Sequence, residues 1–217
     1  ASVKGVKGGG QRFNGQNTGL DVIGSPNFDW KANQTFTIEL WLRTETKDGN
    51  SEAQNQVLIG RHATDSPSQW WLGLDKDRRA AFYLPDIEFK GVYVGNSGPK
   101  LNDGAWHQLV TVRDGSSGAI RLYVDGKEIA SSNFVYDHEF SSRTPVSLGY
   151  FNASLLNSYH YEGDLDEIKL FGRALSPEEI RNRFVEVYNG LTEIVTFEGR
   201  YADGENLNQK IVKLDWR

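Results

Sequence analysis

Ile120-Arg121-Leu122-Tyr123-Val124 runs into Asp125-Gly126 and leaves through Lys127-Glu128-Ile129-Ala130. Two β-prone runs joined by Asp-Gly read as a hairpin. A two-residue type I′ turn needs positive φ at both central positions, and Asp-Gly tolerates that. Working outward, Thr35–Arg43 alternates, with Phe36, Ile38, Leu40 and Leu42 on one face and Thr37, Glu39, Trp41 and Arg43 on the other. Gln56–Gly60, Gln69–Leu74, Arg79–Leu84, Trp106–Arg113, Val146–Tyr150 and Asp166–Phe171 are further short runs of this kind, separated by turn clusters such as Asp75-Lys76-Asp77 and Asp114-Gly115-Ser116-Ser117-Gly118. Short strands at such spacing predict a two-sheet, antiparallel, all-β sandwich or a barrel.

One helix is predicted, near the end. Ser176-Pro177-Glu178-Glu179 supplies an N-cap, a proline at the first helical position and a glutamate three residues after the cap. Ile180, Phe184, Val187 and Tyr188 follow at helical spacing, and Gly190 is a natural stop. The domain is therefore expected over residues 1–190, with 191–217 an edge strand (Glu193–Phe197) and a tail or linker.

Composition narrows the function classes. The chain has 217 residues, a net charge of -5 and no cysteine. Mild acidity argues against nucleic acid, which wants clustered Lys and Arg. Without cysteine there is no disulfide framework and no thiolate metal site. No apolar run is long enough to span a membrane. The start at Ala1-Ser2 reads as a mature or excised fragment of an exported, bacterial, multidomain protein.

The chemical motifs are few. His62, His107, His138 and His160 show no zinc spacing. Neither G-x-S-x-G nor a phosphate loop is present. Asn33-Gln34-Thr35 and Asn152-Ala153-Ser154 match the glycosylation sequon, which matters only in a eukaryotic secretory host. Trp70 and Trp71 are adjacent on a strand and must face opposite sides. Tyr150-Phe151-Asn152 and Tyr159-His160-Tyr161 bracket a loop rich in Asn and Ser. Aromatic faces beside amides and hydroxyls suit a pyranose ring, and they are equally common as ordinary sheet packing.

Four segments carry a resemblance: Gln11–Gly15, Phe36–Trp41, Asp103–Leu109, and the pair Leu122–Lys127 and Gly163–Ile168 running into Arg173–Ile180. In this order, over about residues 8–185, they resemble bacterial laminin-G-like domains of the concanavalin A-like lectin/glucanase kind. That resemblance implies a jelly-roll-like sandwich of two antiparallel sheets with a short C-terminal helix. It also implies a secreted carbohydrate-binding module, an adhesion or protein-interaction module, or a glycoside hydrolase or lyase. Many such modules carry a structural Ca²⁺ joining the first strand region to the last. Here its oxygen ligands would be Asn14, Asp21, Asp164 and Asp166 with carbonyls near Gly15. Asn14 and Asn17 stand where the family often has Asp, which lowers the anionic ligand count. The alternative for Asp166 is that it accepts N–H bonds from the Asn14–Gly15 turn.

Glu162-Gly163-Asp164-Leu165-Asp166-Glu167 matches the acidic spacing of family 16 glycoside hydrolases, which need two carboxylates on one strand face. Simple alternation instead places Asp166 with Ile168 and Leu170 on the core face and Glu167 with Lys169 on the other. The expected function is thus non-catalytic binding of a polysaccharide or glycan. Trp70 or Trp71 would be the stacking platform, with Arg61, His62, Tyr150, Asn152, Tyr159 and Tyr161 around it.

Overall fold

The computed structural model describes residues 1–22, 26–50, 54–62, 69–85, 91–136, 139–151, 159–191, 193–200 and 206–214, with side chains through Asn189. Along the chain run β1 (Ser2–Lys4), β2 (Gly9–Asn14), β3 (Leu20–Val22), a 3₁₀ turn (Pro26–Phe28), β4 (Phe36–Arg43), β5 (Gln56–Arg61), β6 (Trp70–Leu74), β7 (Ala80–Pro85) and β8 (Gly91–Val94). Then come β9 (His107–Asp114), β10 (Ala119–Val124), β11 (Lys127–Asn133), β12 (Val146–Leu148), β13 (Glu162–Phe171) and α1 (Pro177–Leu191), and finally β14 (Glu193–Arg200) and β15 (Asn206–Leu214).

Two antiparallel sheets form the sandwich. One has seven strands in the order β1-β2-β13-β4-β9-β10-β11, the other six in the order β3-β12-β5-β6-β7-β8. The expected hairpin is there: Asp125 and Gly126 both have positive φ, 51° and 74°. The core lies between the sheets. Phe36, Ile38, Leu40 and Leu42 of β4 face Leu72, Leu74, Phe82 and Leu84 of the six-stranded sheet within one buried cluster.

The opposite face of β4 is buried too, because α1 lies across it. Phe184 stacks on Trp41 with ring centroids 5.8 Å apart, and Arg183 pairs with the buried Glu39 at 2.6 Å. Ile180 and Leu175 join Val110, Val112 and Tyr123 in a second apolar cluster. The helix begins as expected: Ser176 Oγ accepts from the Glu179 N–H, and the Glu179 carboxylate accepts from the Ser176 N–H. That is a reciprocal capping box.

One strand face differs from simple alternation. Leu165 is in the core, so Asp164 and Asp166 both face outward on the helix side of the sheet. The register then shifts between Asp166 and Lys169, where Glu167 has φ 48°. This bulge returns Leu170 to the core and leaves Ile168 37% exposed. An extra residue in a strand flips every side chain after it. Beyond α1, β14 pairs with β15 in a two-stranded sheet of their own, so 206–214 is a strand where a tail was expected.

Candidate functional site

The outer face of the six-stranded sheet carries an aromatic row. In register across β5, β6, β7 and β8 lie Gly60, Trp71, Tyr83 and Tyr93. Trp71 tilts against Tyr83 at 6.1 Å and meets Tyr93 edge-on at 6.2 Å, while Tyr83 and Tyr93 are 6.3 Å apart. Gly60 has no side chain because Phe151 occupies its place: a Cβ there would meet Phe151 Cδ2 at 3.0 Å and Trp70 O at 2.9 Å. Phe151 thereby settles on the sheet beside Trp71, Val57 and Ala81, with Tyr83 and Tyr159 packed around them. His62 stands edge-on to Phe151 at 5.6 Å, and Tyr159 leans on it at 6.3 Å.

The tryptophan pair divides as the alternation demands. Trp70 is 1% exposed inside the core and stacks on Phe28. Trp71 is on the outer face but only 6% exposed, so it forms the floor of the row rather than its platform. The rings nearer solvent are Tyr93, 36% exposed, with Tyr83, Tyr159 and His62 half-buried.

Two other expected contacts fall differently. Arg61 is buried; its guanidinium donates to the carbonyls of Thr144, Ser142 and Phe28 and to Asp29 Oδ1 at 2.6 Å. Four donors spent on the 3₁₀ turn and the 142–144 segment make it a structural cation. Tyr161 is fully buried, and its hydroxyl donates to the carbonyls of Arg43 at 2.9 Å and Asp164 at 3.1 Å. Burial pushes its phenol well above the ordinary range. Asn152 lies outside the described residues. Tyr150 is half-buried: its hydroxyl donates to Asp21, and its ring lies against Gly19 and stacks on His160 at 5.9 Å. Burial and the Asp21 carboxylate push that phenol up to about 12.

Tyr83 and Tyr93 were not singled out in the sequence. Their signal was present: Phe82 and Leu84 flank Tyr83, and Val92 and Val94 flank Tyr93, so period 2 puts both tyrosines opposite the core.

The residues expected to hold calcium are otherwise employed. Asn14 Oδ1 accepts the N–H groups of Gln16, Asn17 and Thr18, each at 3.1 Å, and the Thr18 hydroxyl at 2.9 Å. Asp164 sits between two guanidiniums, Arg12 at 2.7 Å and Arg43 at 2.6 Å. Asp166 accepts the N–H groups of Lys7 and Glu167, in place of the Asn14–Gly15 turn. Oxygens saturated by donors or flanked by two cations do not suit Ca²⁺. Among the described residues, no three His, Cys, Asp or Glu side chains gather to hold a metal.

Asp164, in the middle of the acidic motif, is committed in its charge state as well. Burial alone would raise the Asp164 carboxyl, but the hydrogen bonds and charges of Arg12 and Arg43 outweigh it and hold it below the usual range. A general acid needs the opposite shift. No described helix is long and apolar enough to cross a membrane.

No curated protein matches this sequence. Solved structures do resemble the fold. The binding domain of Paraclostridial Mosquitocidal Protein 1 superposes with TM-score 0.68 at 16% identity, over 90% of this chain and 47% of that one. The chain thus spans about half the length of that toxin domain. The CBM40 of the Ruminococcus gnavus IT-sialidase gives 0.63 at 16% identity, over 81% of this chain and 96% of that one. Domain 4 of a GH43 extracellular arabinanase from Geobacillus stearothermophilus, solved with arabinotriose, gives 0.53 at 20% identity, over 84% and 79%. The family model for the concanavalin A-like lectin/glucanases superfamily matches residues 14–181. The two-sheet sandwich and that match together make this chain a member of the concanavalin A-like lectin/glucanases superfamily.

Proposed function

We propose that this chain is a non-catalytic carbohydrate-binding module of an exported protein, and that it takes a glycan on the outer face of its six-stranded sheet. The observation that carries the reading is the registered row Trp71–Tyr83–Tyr93 on the face that α1 does not cover, with Tyr159 and His62 alongside. The tilted rings offer apolar faces to sugar C–H groups, while phenol and imidazole edges serve hydroxyls. α1 closes the equivalent region of the other sheet, so the two faces are not interchangeable.

The sialidase module, solved bound to α2,3-sialyllactose, and the arabinanase domain, solved with arabinotriose, support this reading by likeness of fold. The experiment is a glycan array with the purified chain, read alongside a product assay on every bound glycan. Binding without reducing-end or unsaturated products is expected. Product release would make the chain an enzyme, and an empty array would favour a protein-interaction module.

A further inference from the structure

One cation buried in the core has no counter-charge among the described residues. Arg113 stands on the inner face of β9, opposite Phe36 of β4 and Ile120 of β10, and is fully buried. Its Nη2 donates to the Ala32 carbonyl, and its guanidinium lies over the rings of Tyr136 at 4.9 Å and Phe140 at 5.5 Å. Nε and Nη1 are buried and make no hydrogen bond in the protein. Thr111, the next residue on that face, is equally buried, and its hydroxyl is also unpartnered. Phe36, Ile120, Tyr136 and Phe140 all belong to the hydrophobic core, so the flanking side chains bring no negative charge. The buried Arg61, by contrast, has Asp29 at 2.6 Å.

An arginine cannot shed its proton as a buried lysine can. A buried charge is tolerated only when it is paired and hydrogen-bonded, and ring faces attract a cation without accepting its in-plane N–H groups. Water would accept those groups and leave the charge unbalanced, whereas an anion does both. With Tyr136 and Phe140 only 5.1 Å apart over the guanidinium, a monatomic ion suits the space better than a carboxylate or a sulfate. Phe36 also walls a cavity of about 270 Å³ with Trp30, Gln34 and Leu170, which brings solvent to within one side chain of Arg113. We infer that Arg113 is a buried anion site, which takes a halide such as chloride as its counter-ion inside the sandwich. The site is independent of the outer aromatic face.

Thermal melting of the parent tests this as sodium gluconate is exchanged for sodium chloride or bromide at constant pH and ionic strength. A ligand that binds only the folded chain raises the melting temperature. Chloride should do so by roughly 5 °C once its site fills, and bromide likewise, whereas a general salt effect would not saturate. Arg113→Met keeps much of the side chain's length and removes its charge. It should abolish the halide dependence, and in gluconate it should melt no lower than the parent, because it no longer buries a bare charge. Diffraction from parent crystals grown in sodium bromide needs no variant: an anomalous peak within hydrogen-bond reach of the Arg113 guanidinium is expected. Superimposable melting of the parent in gluconate and chloride would overturn the inference. So would a water without anomalous signal at the guanidinium, or an equal halide effect in Arg113→Met.

Discussion

Trp70 and Trp71, adjacent in β6, stand on opposite faces of one sheet: Trp70 stacks on Phe28 at 5.6 Å in the core, and Trp71 tilts against Tyr83 at 6.1 Å outside it. Their replacements should therefore differ. Trp70→Ala opens a cavity among Phe28, Trp30 and the β-sheet side chains and should cost about 3–5 kcal/mol. Trp71→Ala should cost less, because half-buried tyrosines can settle into its place, and should reduce glycan affinity. Chemical denaturation with parallel titrations measures both. Equal destabilisation with unchanged binding would remove Trp71 from the site.

Asp164 supplies a test of what joins the first strands to the last. Asp164→Asn loses the charge that holds Arg12 and Arg43, and should lower stability by roughly 2 kcal/mol. A metal chelator should leave the melting temperature of the parent unchanged, because the oxygens near Asn14 are occupied by protein donors. The Asp164 carboxyl lies below its ordinary value, so its contribution is present above that value and is lost as pH falls through the folded one. The parent should therefore lose more stability than Asp164→Asn on acidification below about pH 4.

His107 acts in the other direction. Its Nδ1 meets Asp125 Oδ2 at 2.8 Å and its Nε2 meets Asp103 Oδ1 at 3.0 Å. Burial opposes the charged imidazole, but the two carboxylates outweigh it, and the pKa rises above 6.5. A raised folded pKa gives stability that is fully present below the unfolded value and fades as pH rises through the folded one. Melting curves between about pH 5 and pH 9 should show that loss in the parent and not in His107→Gln. Parallel curves would remove His107 as the source.

The N-terminus of α1 should respond to its cap. Ser176→Ala removes the oxygen that accepts the Glu179 N–H and should cost about 1 kcal/mol. Because α1 covers Trp41 and Glu39, the loss should appear in global denaturation rather than as local fraying. Unchanged denaturation midpoints would mean the capping box adds nothing to the packed helix.

Much of the fold was legible because its signals are local. Asp125-Gly126 dictates its own turn, Ser176–Glu179 its own cap, and Phe36–Leu42 its own face. The bulge after Asp166 was not legible, since the period-2 pattern continues through Asp166, Ile168 and Leu170 while the backbone does not. Nor was the burial of Arg61 and Tyr161. Both look like site residues in sequence, yet their partners are carbonyls of Thr144, Ser142, Arg43 and Asp164 that only the fold assembles. The adjacent tryptophans announced their opposite faces. That Phe151 would cover one of them depends on Gly60, a residue far away in sequence.

Tyr93 is the most exposed ring of the outer aromatic face, where the glycan is proposed to lie. Calorimetric titration of the best array glycan into the parent and into Tyr93→Ala tests that placement most directly, with melting curves of both as the control for folding. Tyr93→Ala should keep the parent's melting temperature within a few degrees and lose about tenfold in affinity, as expected for a stacking aromatic. Equal affinity in the two proteins would place the glycan elsewhere and contradict the account.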